Sequence, residues 1–221
     1  MGKFLEAMEG GLPKRIILTD DPLRVKMLVA HHLEYARLVS ELRGMSAYVG
    51  EYESARIAVL GVGYGEPALL AWLSEAIEYG ASAAVYIGEC VSQSEDLSLR
   101  DVVLASAAYG ARGFAAADAG LVDEAALVAK KLDFVARLAE VFTDDTYWLD
   151  EDKAANSGKP AIDFATDAFY WKSAFEGIKA LSILTVSEDA ISGRRIDEAE
   201  RQSRFNNASR LAFELLARVD A

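Results

Sequence analysis

The chain has 221 residues, with 23 Lys and Arg against 35 Asp and Glu, a formal net charge of −12. Hydrophobic residues make up 52% of it, enough to close a core, so general disorder is excluded. The acidic balance excludes a sequence-independent nucleic-acid binder, which needs a basic excess to release phosphate counterions, but leaves room for a small basic pocket inside an acidic molecule.

Strand-like and helix-like segments alternate along the chain. An apolar run at residues 15–20 ends in turn residues, and Pro22 opens a helix to about residue 33, with Asp20 or Asp21 as its cap. Three β-rich stretches follow at 36–43, 45–52 and 56–61, separated by Gly44 and by Glu53 and Ser54, which reads as an antiparallel meander. Gly61-Val-Gly-Tyr-Gly65 leads into a helix over 67–79 that Gly80 stops. Buried-type strands are expected at 83–88 and 101–107, a small-residue loop at 111–119, a helix at 121–132 and a strand at 134–142. A polar loop at 148–159, a short strand at 161–164, a helix at 167–175 closed by Gly177 and a strand at 180–187 come next. A long amphipathic helix over 197–219 ends the chain. The alternation predicts an α/β layer fold with a mixed sheet, as a single domain over residues 1–221.

Cys90 is the one cysteine and follows a buried strand, so an inert thiol in a reducing, cytoplasmic setting is expected. His31 and His32 are adjacent near a helix end, where contact with the helix C-terminus is expected rather than ligation. A His-rich metal site and a His-containing triad are disfavoured. Residues 1–12 lack the apolar core of a signal peptide, and no run approaches the roughly 18 apolar residues that span a membrane. The Gly61–Gly65 turn between strand and helix suits either a tight turn or backbone contact with a ligand; it lacks the further glycine of a dinucleotide fingerprint. Arg24 and Arg43 read equally as solvated surface residues. Ser187-Glu188-Asp189 closes an apolar strand, at the sheet end where α/β folds place ligands.

Taken together, the segments Thr19-Asp-Asp-Pro-Leu-Arg24, Leu42-Arg-Gly-Met45, Gly61-Val-Gly-Tyr-Gly65, Tyr86-Ile-Gly-Glu-Cys90, Leu99-Arg-Asp-Val-Val103 and Thr185-Val-Ser-Glu-Asp189 resemble the nucleoside phosphorylase family, hexameric purine nucleoside phosphorylase in particular. The closing Ala199-Glu-Arg-Gln-Ser-Arg-Phe-Asn206 is similar to the start of the family's terminal helix, and the likeness is collinear over about residues 15–215. The resemblance implies a three-layer α/β fold with a central mixed, partly barrel-like sheet flanked by helices. It implies cleavage of the N-glycosidic bond of a nucleoside by phosphate, through an oxocarbenium-like transition state. Glu188 matches the catalytic acid and Arg201 its helper; Arg24 matches a phosphate arginine, and Arg43 one lent by a neighbouring subunit. Asp20 and Glu89 fall at phosphate positions. Gly63, Tyr147, Asp163, Phe164 and Ser187 fall at nucleoside positions, Tyr147 as base stacker and Phe164 beneath the sugar. Expected partners are a nucleoside, phosphate as co-substrate and copies of this chain, with a dimer as the minimal unit and a hexamer by resemblance; no metal, other cofactor, nucleic acid or membrane is implied.

The departures from the family pattern concentrate in the pocket. Asp20 stands for a glycine, Glu89 for a serine, Tyr86 for the third phosphate arginine, Ala165 for the ribose-clamping Glu, Asp163 for the Glu upstream of it, and Glu188 for the catalytic Asp. A like-charge contact at about 4 Å costs about 4 kcal/mol at an effective dielectric of about 20, so Asp20 and Glu89 oppose a phosphate dianion. Those acids are expected to pair with the arginines and fill the site. Three functions follow: a phosphorylase of altered specificity, a nucleosidase in which water replaces phosphate with Asp20 or Glu89 as its base, or a non-catalytic binding protein.

Overall fold

The computed structural model describes Leu5, residues 11–146, 157–197, Glu200 and residues 206–220. The elements in order are β1 (Arg15–Thr19), α1 (Pro22–His32), β2 (Glu34–Leu42), β3 (Met45–Tyr52), β4 (Ala55–Gly61), α2 (Glu66–Glu78), β5 (Ala83–Ser92), β6 (Val102–Gly110), β7 (Gly113–Ala116), α3 (Ala119–Lys131), β8 (Ala136–Thr143), β9 (Ala161–Asp163), α4 (Thr166–Glu176), β10 (Lys179–Asp189), β11 (Arg194–Arg195) and α5 (Asn206–Arg218). Local chemistry sets the helix ends. Asp21, not Asp20, caps α1, its carboxylate accepting from the Leu23 amide at 2.7 Å with Pro22 in the first turn. Asp118 caps α3 in the same way through the Leu121 amide, and Gly177, at φ 70°, closes α4.

The strands form one mixed sheet that partly closes on itself. β10 pairs with β5 on one edge and β6 on the other, β6 with β8, β8 with β9, and β9 returns to β5. These five strands make a ring. From β5 the parallel strands β1 and β4, then the antiparallel β3 and β2, extend it as an open wing. The meander expected over residues 36–61 is therefore present. On one face α1, α3 and α5 bury Val25, Leu28, Leu121, Val128, Leu211 and Leu215 against Ile17, Ile87 and Ile183. On the other, α2 and α4 bury Leu69, Trp72 and Phe169 against Leu18, Tyr86 and Leu184. Alternate residues of β1, β5 and β10 thus serve two cores, which is why these strands read as unbroken apolar runs. The result is the expected three-layer α/β fold around a partly barrel-like sheet.

Some boundaries differ from the sequence expectation. β5 continues to Ser92 because β10 accompanies it throughout and β9 covers its last residues. The expected loop at 111–119 contains β7, which pairs with β6; its Gly-Phe-Ala-Ala sequence has too little side-chain contrast to show alternation. The short β11 was also not anticipated, and most of the 148–159 loop lies outside the described residues.

His32 corrects the expectation of a helix-end contact. Its ring stacks on Phe213 at 4.7 Å between centroids, and burial, aided by His31 and Arg210, holds its pKa down to about 4. The folded chain therefore carries it neutral where the unfolded chain protonates it. Its stabilising contribution is complete above the ordinary pKa of 6.5 and is lost as pH falls toward about 4. Urea unfolding across that window should show stability falling with acid, and His32→Phe should flatten the profile by keeping the stack without the titration.

Candidate functional site

The crevice arises from a change of partner along β5. β1 follows one edge of β5 as far as the Thr19–Ile87 pair, and β9 takes that edge from the Val91–Ile162 pair onward. Gly88, Glu89 and Cys90 lie between the two ladders, while β10 runs along the opposite edge. Strands that part at the end of a sheet leave a cleft, the usual place for a ligand in this fold class. Here it is a cavity of about 240 Å³ lined by Asp20, Asp21, Pro22, Tyr64, Glu89, Phe164 and Ser187. Tyr64 and Phe164 meet with ring centroids 5.2 Å apart and form its aromatic wall.

Arg24, on the first turn of α1 and fully buried, forms the charged floor beside this cavity. Its Nη1 donates to Asp20 Oδ1 at 2.8 Å and to Thr19 Oγ1 at 3.1 Å, and its Nη2 donates to Glu89 Oε1 at 2.6 Å. The two acids pair with Arg24, the arrangement expected once the family likeness sets all three at one subsite. Asp20 is drawn in two directions. Burial raises its carboxyl above the ordinary range, Arg24 pulls it down, Glu89 and Asp21 push it up again, and the net direction is upward. Tyr86 is buried beside them, its hydroxyl 3.5 Å from Asp20 Oδ2. The ring fits there because residue 88 is glycine: a Cβ at Gly88 would lie 2.6 Å from Tyr86 Cε1. Gly88→Ala should therefore cost about 1–3 kcal/mol by overpacking. Chemical denaturation would measure it, with Tyr86→Leu restoring part of the loss.

The remaining candidates fall in different places. Ser187 lines the cavity at a β-bulge between Val186 and Glu188. Glu188 is 7% exposed; its Oε1 stands 3.6 Å from Arg195 Nη2, and its Oε2 is buried with no hydrogen-bond partner among the described residues. Asp163 serves the fold. It is fully buried, with Oδ1 accepting from the Thr143 hydroxyl at 2.5 Å and Oδ2 from the amides of Ala165 and Thr166 at 3.1 and 2.8 Å. It anchors the start of α4, and none of its atoms lines the cavity. Gly63 sits at φ 81° and Gly65 at φ 85°, conformations that demand glycine, so the turn itself explains both. Arg43 is exposed at the β2–β3 turn with φ 57°, away from the lining residues of this chain's cavity. Tyr147 and Arg201 lie outside the described residues. Cys90 is fully buried, and burial pushes its thiol well up, as expected for an inert cysteine.

No model of a known protein family matches the chain. Curated relatives do, over nearly their whole length. The purine nucleoside phosphorylase DeoD-type of Geobacillus kaustophilus is 33% identical over 236 residues, covering 100% of both chains. That of Alkaliphilus metalliredigens is 32% identical over 231 residues, covering 97% of this chain and 99% of the relative. The chain belongs to the DeoD-type purine nucleoside phosphorylase family. That of Bacillus subtilis is 32% identical over 228 residues, covering 96% and 98%. At the level of the family, the activity is phosphorolytic cleavage of nucleosides.

Against that family pattern, Asp21, Pro22 and Tyr64 are the cavity residues that motif reading left without a ligand role. Tyr64 carried a usable signal, an aromatic set among three glycines at a strand–helix turn, and it is 48% exposed at the cavity mouth. Asp21 was accounted for by capping, which it also performs. No helix among the described residues is long and apolar enough to cross a membrane. Among the same residues, no three or more His, Cys, Asp or Glu are grouped so as to hold a metal ion.

Proposed function

We propose that this chain cleaves the N-glycosidic bond of a purine nucleoside in the Asp20–Tyr64–Glu89–Phe164–Ser187 cavity, in the manner of nucleoside salvage in the cytoplasm. The observation that carries the reading is the aromatic-walled cleft at the β5 partner change, in a chain that matches DeoD-type phosphorylases from end to end. Tyr64 and Phe164 offer a flat apolar surface for the base and sugar faces. Ser187 and the neighbouring Glu188 stand at the strand end, where an acid can protonate the departing base. The relatives bear the name phosphorylase, and phosphate is the acceptor that name supplies. Arg43, at the tip of an exposed hairpin, is suited to act on a second copy's cavity, so the working unit is a homodimer or a higher assembly such as a hexamer.

The test is release of free base from a panel of purine and pyrimidine nucleosides, followed chromatographically. Purine release supports the reading, and no release from any nucleoside, with or without phosphate, overturns it. Light scattering after size-exclusion chromatography reads the assembly, and a monomer at working concentration overturns that part.

A further inference from the structure

Both terminal nitrogens of Arg24 already donate to carboxylates of this chain, Nη1 to Asp20 at 2.8 Å and Nη2 to Glu89 at 2.6 Å. The carboxylates therefore occupy the donor positions that an incoming anion would need. With Asp21 on the same wall, the four groups Asp20, Asp21, Glu89 and Arg24 sum to −3 + 1 = −2 when ionised. A phosphate dianion entering here meets three carboxylates and one guanidinium that is already engaged, in a cavity where burial weakens screening. Water carries no such penalty, and it would find carboxylate oxygens to accept its protons.

We propose that in this chain the acceptor of the sugar is water and not phosphate, with Asp20 as the group that takes the water's proton. The inference rests on the glycosidic-cleavage reading above and concerns only its second substrate. In the step, the water oxygen bonds to the anomeric carbon and the bond from that carbon to the base nitrogen breaks. The electron pair leaves on the base, which takes up a proton from Glu188. The water's proton passes to Asp20 and then to solvent, while Glu188 regains one, so that one water is added and free base and free sugar result.

The details of Asp20 suit that task. Arg24 holds Oδ1 in place, and Oδ2 has the Tyr86 hydroxyl at 3.5 Å, a long contact that a water can replace. Its carboxyl is raised by burial, with Arg24 opposing and Glu89 and Asp21 reinforcing, which brings its basicity closer to neutral working pH. Glu89 serves as a positioning residue, fixing the other arm of Arg24.

Two measurements on the whole protein test this. Base release is followed in phosphate-free buffer and again with inorganic phosphate added, and inorganic phosphate is titrated calorimetrically at low salt. Equal release in both buffers, free ribose as the sugar product and no phosphate heat are expected. Asp20→Asn should lower release by about 10²–10⁴-fold, and the pair Asp20→Asn with Glu89→Gln should gain a phosphate-binding heat as Arg24 is relieved of both carboxylates. Release that appears only with phosphate, or micromolar phosphate binding by the unaltered chain, overturns the inference and leaves glycosidic cleavage standing. No release in either buffer overturns both.

Discussion

Arg24→Ala is expected to lower the melting temperature by about 6–20 °C. Arg24 is wholly buried, while the side chains of Asp20 and Glu89 are 12% and 13% exposed. Removing one partner of a buried pair costs about 3–5 kcal/mol, because the other charge stays without compensation. A chain of this length loses about 2–4 °C per kcal/mol. The cost also depends on pH. Burial raises the folded-state Asp20 carboxyl and Arg24 opposes that rise, so without Arg24 the Asp20 penalty is fully present above the folded pKa, fades as pH falls through it and is gone below the unfolded one. The variant should therefore lie closer to its parent at about pH 4 than at about pH 7. Calorimetric melting at both values reads this directly. Arg24→Met combined with Asp20→Asn and Glu89→Gln should melt higher than Arg24→Ala alone, since replacing a whole buried ionic group is often nearly neutral. If Arg24→Ala melted with its parent at neutral pH, the triad would contribute nothing to the fold.

The same triad shows what sequence can and cannot disclose here. The family likeness sets Asp20, Glu89 and Arg24 at one subsite and opposite charge then pairs them; Asp20, four positions before Arg24, makes the 2.8 Å contact. Glu89 is 65 residues from Arg24, and its 2.6 Å contact became foreseeable only because the family likeness placed both at one subsite. The α/β layering with a mixed sheet was legible because β1, β5 and β10 are buried on both faces and advertise themselves as continuous apolar runs. β7 was not, since Gly, Phe and two alanines carry no alternation. Asp163 illustrates a different limit. The family likeness implied a ligand contact, and three residues that line no part of the cavity, Thr143, Ala165 and Thr166, hold its oxygens. Side-chain hydrogen bonds of that kind depend on the relative placement of β8, β9 and α4, and no local pattern encodes it.

The net charge of −12 acquires a location through this arrangement. Three of the carboxylates, those of Asp20, Asp21 and Glu89, converge on one cavity, and Arg24 answers Asp20 and Glu89 with ion pairs. An enzyme that breaks a glycosidic bond develops positive charge on the sugar in the transition state, and fixed carboxylates nearby favour that charge without having to reorganise. An acidic pocket is thus at odds with an anionic second substrate, yet compatible with the bond cleavage itself. This separates the two readings chemically: loss of phosphate does not entail loss of catalysis.

Glu188→Gln should lower base release by about 10²–10⁴-fold, the usual contribution of a general acid. The substitution keeps shape and volume and removes the transferable proton. Its expected effect on stability is small and of either sign. Among the described residues Oε2 is buried without a hydrogen-bond partner, and Oε1 reaches Arg195 only at 3.6 Å, across to a guanidinium whose side chain is 63% exposed. A buried polar atom that the surrounding described residues leave unbonded is unusual in a native fold and suits a group kept for chemistry. Glu188→Asp, which keeps the acid on a stem shorter by one methylene, should retain more activity than Glu188→Gln. A purely structural Glu188 would give the opposite pattern: melting temperature would move with the loss of the Arg195 contact, while the rate per folded molecule stayed constant. Measuring kcat and melting temperature on both variants separates the two, because only a proton donor makes the neutral isostere slow and the shortened acid active.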